Sequence, residues 1–247
     1  MLESEHQSLW RSHADSVNRD LIARLLPPQQ TGLLLKTDIF DEAFGDGLYP
    51  FLQSRSRRFI GIDLSSRVLA TARSRYHDLD AVAADIRRLP FADCTFDIVI
   101  SISTLDHFPS RDDIMTGLPE LYRVLKPSGR LIITLDNPVN PFIALRRIIP
   151  FGVLNRLGIV PYYVGATLNP RQLKKNLEKT GFTVTRTEAI MHCPRVFAVA
   201  LSRLFERHAS PAVRRRFLGV LTSFERLSAL PTRYITGHFV AADAVRN

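Results

Sequence analysis

The feature that most constrains this chain is a series of short apolar segments that close on an acid or a hydroxyl. Segments of helical period separate them. "LLLKTDIF" (33–40) runs into "DEAFGDG". "FIGID" (59–63) ends on Asp63, "DAVAAD" (80–85) on Asp85, "FDIVISIS" (96–103) on Ser103 and "RLIITLD" (130–136) on Asp136. Between them, "SSRVLATARSRY" (65–76) reads as a helix with Ser65 or Ser66 as N-cap. "RDDIMTGLPELYRVLK" (111–126) reads as another, starting near its Asp pair and disturbed at Pro119, with a turn at 127–129. Strands buried on both faces are near-continuous apolar runs, and their alternation with helices predicts an α/β fold with a parallel sheet.

The pattern changes on either side of this core. Residues 15–26 place Val17, Leu21, Ile22 and Leu25 at helical spacing and stop at Pro27-Pro28. The proline-rich stretch 137–169 reads as a cover segment, and 170–181 as a helix closed by a Gly C-cap. Strands are predicted at 182–192 and 234–246, with a helical insertion at 195–230 between them. We read one domain over 1–247. It comprises an N-terminal helical segment (1–30), a binding core (31–136), a cover and substrate segment (137–181), and a C-terminal part (182–247).

Open α/β sheets bind ligands at the carboxyl ends of their strands. The first end here carries Asp41-x-Ala43-x-Gly45-x-Gly47, the second Asp63, the third Asp85, and the fourth Ser101 to Thr104 followed by Asp106-His107. Gly45 and Gly47 let backbone approach a ligand closely. A carboxylate at the second end can accept both hydroxyls of a ribose and would repel a 2′-phosphate, while one at the third can take the exocyclic amine of an adenine. This set suits an adenosine bearing a small amino-acid arm.

"DIRRLPFADCTFDIVISISTLDHF" and "ELYRVLKPSGRLIITL" give the chain a resemblance to class I S-adenosylmethionine-dependent methyltransferases, especially the small-molecule, type 11-like group. The resemblance covers roughly 32–136. It implies a Rossmann-like, doubly wound, seven-stranded sheet, mostly parallel with the last strand antiparallel, and S-adenosyl-L-methionine as cofactor. It assigns the methionine end to Asp41, Ala43, Gly45 and Gly47, the ribose to Asp63 with Leu64 beside it, and the adenine to Asp85 with Ile86. Ser101 lies at the neighbouring strand end. Ala43 stands where the family has a third glycine, which costs little if φ is negative and on the order of 1 kcal/mol if φ must be positive. His107 and Asp106, beyond the fourth strand, and Tyr163, in the cover, are the catalytic candidates. His107 is a proton acceptor of suitable ordinary pKa or, equally, a loop brace.

Methyl transfer from a sulfonium needs alignment and exclusion of water more than covalent help, so no catalytic signature fixes the acceptor. A small-molecule or lipid-like acceptor is expected. A nicotinamide enzyme is disfavoured because Pro50 stands where G-x-G-x-x-G needs its third glycine. Nucleic acid is not expected: "DNPVNP" (136–141) follows the fifth strand rather than the fourth, and no nucleic-acid module is added. No metal site is expected, since Cys94 and Cys193 are distant and His192-Cys193 lacks further ligands. A non-catalytic binding protein on the same fold remains the alternative.

The start lacks a basic region followed by an apolar run, so a cytoplasmic protein is expected. The net charge of +9 is concentrated from 195 to 233, where eight arginines face only Glu206 and Glu225. With the apolar cover and its Arg146, Arg147 and Arg156, this allows peripheral contact with the anionic inner face of a membrane. Oligomeric state is not legible.

Overall fold

The computed structural model describes residues 8–26, 31–149, 151–156 and 165–247. In chain order, α1 (Leu9–Leu25) leads to β1 (Thr31–Lys36), two short helices α2 (Phe40–Phe44) and α3 (Tyr49–Gln53), β2 (Ser56–Asp63), α4 (Ser66–Arg75), β3 (Asp80–Ala83) and β4 (Phe96–Ile102). A 3-10 turn (Leu105–His107) precedes α5 (Arg111–Val124) and β5 (Leu125–Asp136). The cover follows as α6 (Pro141–Ile148), α7 (Phe151–Arg156) and α8 (Pro170–Thr180). The chain closes with β6 (Phe182–Ile190), α9 (Arg195–His208), α10 (Pro211–Ser223), a 3-10 segment (Phe224–Ala229), α11 (Arg233–Thr236) and β7 (Phe239–Arg246).

The seven strands form one sheet in the order β3-β2-β1-β4-β5-β7-β6. The β1–β2, β1–β4, β2–β3 and β4–β5 pairs are parallel, and β7 runs antiparallel to both β5 and β6. The expected sheet, with its final strand reversed, is the sheet observed.

Period-2 alternation divides the apolar strand residues between two cores. Leu34, Ile98, Ile100 and Ile132 face a layer built with Leu21 of α1, Leu69 of α4 and Leu221 of α10. Leu35, Val99, Leu131 and Ile133 face Leu118 and Leu121 of α5 and Leu173 and Leu177 of α8. Local signals set the helix ends. Ser65 accepts the Val68 N–H, while Ser110 with Asp113 and Asn169 with Gln172 form reciprocal caps. Gly181 closes α8 at φ 112°, as the sequence predicts.

Several boundaries move. β1 stops at Lys36 rather than at residue 40, because residues 40–44 coil into α2. The turn expected at 127–129 lies inside β5 as an irregularity, where the partners of β4 jump from Leu125 to Arg130 and Ser128 takes φ 63°. The insertion 195–230 is two helices and a 3-10 segment, and the last strand begins at Phe239 after the separate turn of α11. α5 runs through Pro119. Tyr162 and Tyr163 lie outside the described residues.

Gly61 governs how the chain leaves β1. A Cβ there would lie 2.4 Å from Cγ2 of buried Ile39, so the missing side chain lets the 37–39 turn lie down on β2. Because Ile39 is β-branched and buried, it cannot swing aside. Gly61→Ala is expected to destabilise the fold by about 1–3 kcal/mol through overpacking, read as a lowered urea midpoint at unchanged slope. An unchanged midpoint would show that the turn repacks freely.

Candidate active site

The strand order reverses between β1 and β4, since β1 continues to β2 and β3 on one side and β4 to β5 on the other. The crevice outside this switch point is where an open parallel sheet offers strand ends and loops to a ligand. Four turns meet there: residues 37–39, Asp63 to Ser65, Asp85 to Arg88, and 103–107.

At the end of β1, Lys36 is buried and its Nζ lies 2.8 Å from Oε2 of Glu42, which is fully buried. Lys36 also donates to the Asp38 carbonyl. Burial alone would depress the Lys36 ammonium, but Glu42, Asp38 and Asp41 outweigh it and raise its pKa. The other oxygen of Glu42 accepts the Leu48 N–H at 3.0 Å. Gly47 adopts φ 60°, and a Cβ on it would come within 2.9 Å of the Glu42 side chain. Gly47 therefore makes room for the carboxylate that holds Lys36.

Asp41, Glu42 and Ala43 belong to α2, where Ala43 is helical and buried against the core, so its backbone carries no positive-φ strain. Gly45 is extended, and its carbonyl accepts from Arg75 at 3.0 Å; the Asp46 carbonyl accepts from the Tyr76 hydroxyl at 2.8 Å. Arg75 and Tyr76 lie at the far end of α4, about 15 Å along the helix from Ser65. Gly45 is thus tied to the far end of α4. The turn near Asp63 is Thr37-Asp38-Ile39, which holds no glycine.

The turns at the switch point are polar and acidic. Burial pushes the Asp38 carboxyl up to about 6; Lys36 opposes this, and Asp41 and Asp63 add to it. Asp63 accepts the Ser65 N–H through Oδ1 at 2.8 Å, and among the described residues Oδ2 takes no hydrogen bond. Leu64 beside it is exposed. Thr37 and Thr104 share a hydroxyl–hydroxyl hydrogen bond of 2.9 Å across the crevice. Ser101 is fully buried, and among the described residues its Oγ has no partner. Asp85 is gripped by Arg87, which reaches both of its oxygens at 2.6–3.1 Å and holds its carboxyl below the usual range; Arg87 also pairs with Asp113. Ile86 is buried in the α5 core.

A second group lies beyond β4 and β5. Ser103 takes φ 48°, a conformation that turns the chain sharply, and its hydroxyl donates to Asp106 at 2.9 Å. Asp106 also accepts the Asp136 N–H at 2.9 Å and is almost fully buried. Burial and the Asp136 charge raise its pKa. Burial would raise Asp136 too, but the Arg146 and Arg195 guanidiniums outweigh it and hold the carboxyl low. Arg146 of α6 donates to Asp136 directly. His238 sits 3.5 Å from Asp136 and receives Arg195 at 2.9 Å; burial, then Arg195, pushes its pKa down to about 3, so it is neutral and accepts. Asn137 and Asn140 donate to the carbonyls of Tyr234, Thr236 and Gly237. His107 is exposed on the turn beside buried Asp106. The convergence of Asp136, Arg146, Arg195 and His238 escaped sequence reasoning because no spacing links positions 136 to 238.

A seven-stranded sheet with a reversed last strand and an acid-rich crevice between β1 and β4 defines the class I methyltransferase fold. A family model described as a methyltransferase domain matches residues 41–133, and over that part the chain is similar to S-adenosylmethionine-dependent methyltransferases. A probable S-adenosylmethionine-dependent methyltransferase of Mycolicibacterium smegmatis is 24% identical over 177 residues, covering 71% of this chain and 62% of that protein. The demethylmenaquinone methyltransferase of Beutenbergia cavernae is 34% identical over 114 residues, covering 45% and 44%. The chain thus spans less than two thirds of the length of these curated relatives. Among solved structures, the [4+2]-cyclase SpnF superposes with a TM-score of 0.62 at 19% identity, covering 99% of this chain and 84% of its own.

The state of Asp106 has a measurable consequence. Its folded pKa is raised above the unfolded value, so ionised Asp106 costs stability above the folded pKa, and protonation relieves that cost as pH falls. Asp106→Asn keeps the shape and can still accept the Asp136 N–H. The variant is expected to exceed the parent by on the order of 2 kcal/mol at pH 8. That advantage should shrink towards pH 5, as followed by thermal melts; a difference independent of pH would contradict the assignment.

Proposed function

We propose that this chain transfers a methyl group from S-adenosyl-L-methionine to a small-molecule or lipid-like acceptor, in line with the sulfonium. The observation that carries this reading is the charge of the crevice. Glu42 neutralises Lys36, which leaves Asp38, Asp41 and Asp63 around the β1 and β2 ends. Such a site suits a ligand with a ribose diol and positive charge, and it would repel a 2′-phosphate or pyrophosphate.

Asp63 would hold the ribose hydroxyls through its open oxygen. Asp38, with the Thr37 and Thr104 hydroxyls, would face the amino-acid end. The buried Ser101 hydroxyl is a further group with hydrogen-bonding capacity to spare. Asp85, with Ile86, would border the adenine, using the lone pairs that Arg87 leaves. In this arrangement Thr37 and Asp38 carry the work first assigned to Gly45 and Gly47. When bound, the cofactor would supply an electrophilic methyl on sulfur.

This chain's residues would align the acceptor and manage its proton. His107 and Asp106 are the candidate proton acceptors; Asp106 accepts from the Ser103 hydroxyl and the Asp136 N–H. Tyr163 would contribute from the cover. The relative named as a demethylmenaquinone methyltransferase supports a small-molecule acceptor. Among the described residues no helix is long and apolar enough to cross a membrane, and we place the protein in the cytoplasm.

A second reading keeps the fold without methyl transfer. The structural likeness to the [4+2]-cyclase SpnF supports keeping it in view. Titration calorimetry with S-adenosylmethionine and mass analysis of extracts incubated with enzyme and cofactor separate the two. Binding together with acceptors gaining one methyl group is the expected result. Binding without any methylated product would favour the second reading, and no binding at millimolar cofactor would sink the methyltransferase reading. Asp63→Ala is expected to weaken cofactor affinity by about 1–3 kcal/mol through loss of a charged hydrogen-bond pair; unchanged affinity would take Asp63 out of the site.

A further inference from the structure

α9 and α10 enclose an open cleft of about 530 Å³ whose walls are almost wholly apolar. Phe197, Leu201, Phe205, Phe217 and Val220 line it, with Arg216 among them. Phe197 is 66% exposed and Val220 56%, and Val196 and Leu204 on the same helices are also open to solvent. A contiguous apolar surface of this kind on a soluble domain marks an interaction site.

The two helices around the cleft are rich in arginine. Arg216 lines the cleft itself, and Arg203, Arg207 and Arg215 are exposed elsewhere on the same helices. The two acids of this region are turned inward: Glu206 accepts the Leu9 N–H at 2.5 Å, and Glu225 accepts the N–H groups of Met191 and His192. The helical pair is therefore cationic without local compensation from these acids.

A second apolar face lies nearby, on the cover. Phe142, Leu145 and Ile148 of α6 and Val153 of α7 are exposed, and Arg147 and Arg156 stand exposed among them. The two faces meet through Asp136. Arg146 of α6 pairs with it, and Arg195, the first residue of α9, reaches it through His238. Both faces consequently border the carboxyl edge of the sheet, on the side of the Asp106–His107 turn.

We propose that these two faces dock the protein on an anionic lipid bilayer, with α6 and α9–α10 lying in the headgroup region. Apolar side chains flanked by arginines are the chemistry of interfacial helices, which combine burial of apolar area with attraction to anionic headgroups. A second copy of this chain fits less well, because two arginine-rich helical pairs would face each other. Docking in this orientation turns the acceptor side of the crevice towards the membrane. It gives the lipid-like part of the proposed function a physical route and rests on that reading only for its purpose.

Vesicle co-sedimentation of the full chain without cofactor tests the docking independently of methyl transfer. The protein is expected to sediment with vesicles containing phosphatidylglycerol at low salt and to stay in solution with pure phosphatidylcholine. It should be released at about 1 M salt, where the screening length falls to roughly 3 Å. Arg215→Glu combined with Arg216→Glu should lower the partition coefficient about tenfold or more, and Phe197→Ser should lower it severalfold. All three positions are exposed, so the fold does not depend on them. Absence of binding to anionic vesicles at low salt overturns the proposal, as does equal binding to neutral ones. So does a concentration-dependent dimer that Phe197→Ser converts to monomer. Failure here with cofactor binding intact leaves the methyltransferase reading standing; cofactor failure with vesicle binding intact does the reverse.

Discussion

The buried pair of Lys36 and Glu42 is the interaction on which the candidate site depends. A lysine at the end of a central strand would leave an uncompensated charge in the interior, and removing one partner of such a pair costs roughly 3–5 kcal/mol. The need to bring Glu42 within 2.8 Å of Lys36 coils residues 40–44 into α2. It also makes Gly47 the position where a side chain is forbidden. With the lysine neutralised, the surrounding carboxylates set the sign of the crevice. Local helix formation, glycine placement and site electrostatics thus follow from one ion pair.

Asp136 plays the corresponding part beyond the end of β5. It ends β5, offers its N–H to Asp106, pairs with Arg146 of the cover and lies beside His238 at the entry to β7. The asparagines at 137 and 140 fasten the same corner to α11 through backbone carbonyls. In the sequence, "DNPVNP" follows the fifth strand rather than the fourth and does not read as a nucleic-acid element. In the structure its polar side chains serve as fasteners between β5, α6 and α11. Polar groups this deeply buried have to be satisfied, and here they satisfy one another.

Much of the fold was legible because it rests on local pattern. Apolar runs with both faces buried, Ser65 and Ser110 as caps, and Gly181 as a C-cap each left a short-range mark. Asp63 was legible as a strand-end acid for the same reason. The Gly45–Gly47 turn was legible as glycine spacing, but its packing on Arg75 and Tyr76 was not. Ala43 is a helical residue facing the core and carries no positive-φ strain.

The sequence by itself determined the alternation of strands and helices, the acids at the strand ends and the excess of arginine near the C-terminus. Each of these is written in neighbouring residues whose spacing matches a backbone period. Only the tertiary structure decided that Lys36 would be neutralised by Glu42 and that Asp38 would stand near Asp63. It also decided that Arg146, Arg195 and His238 would gather on Asp136. Those contacts depend on the register of parallel strands and on how α6 and α9 fold back over the sheet, and no local period records such long-range closure.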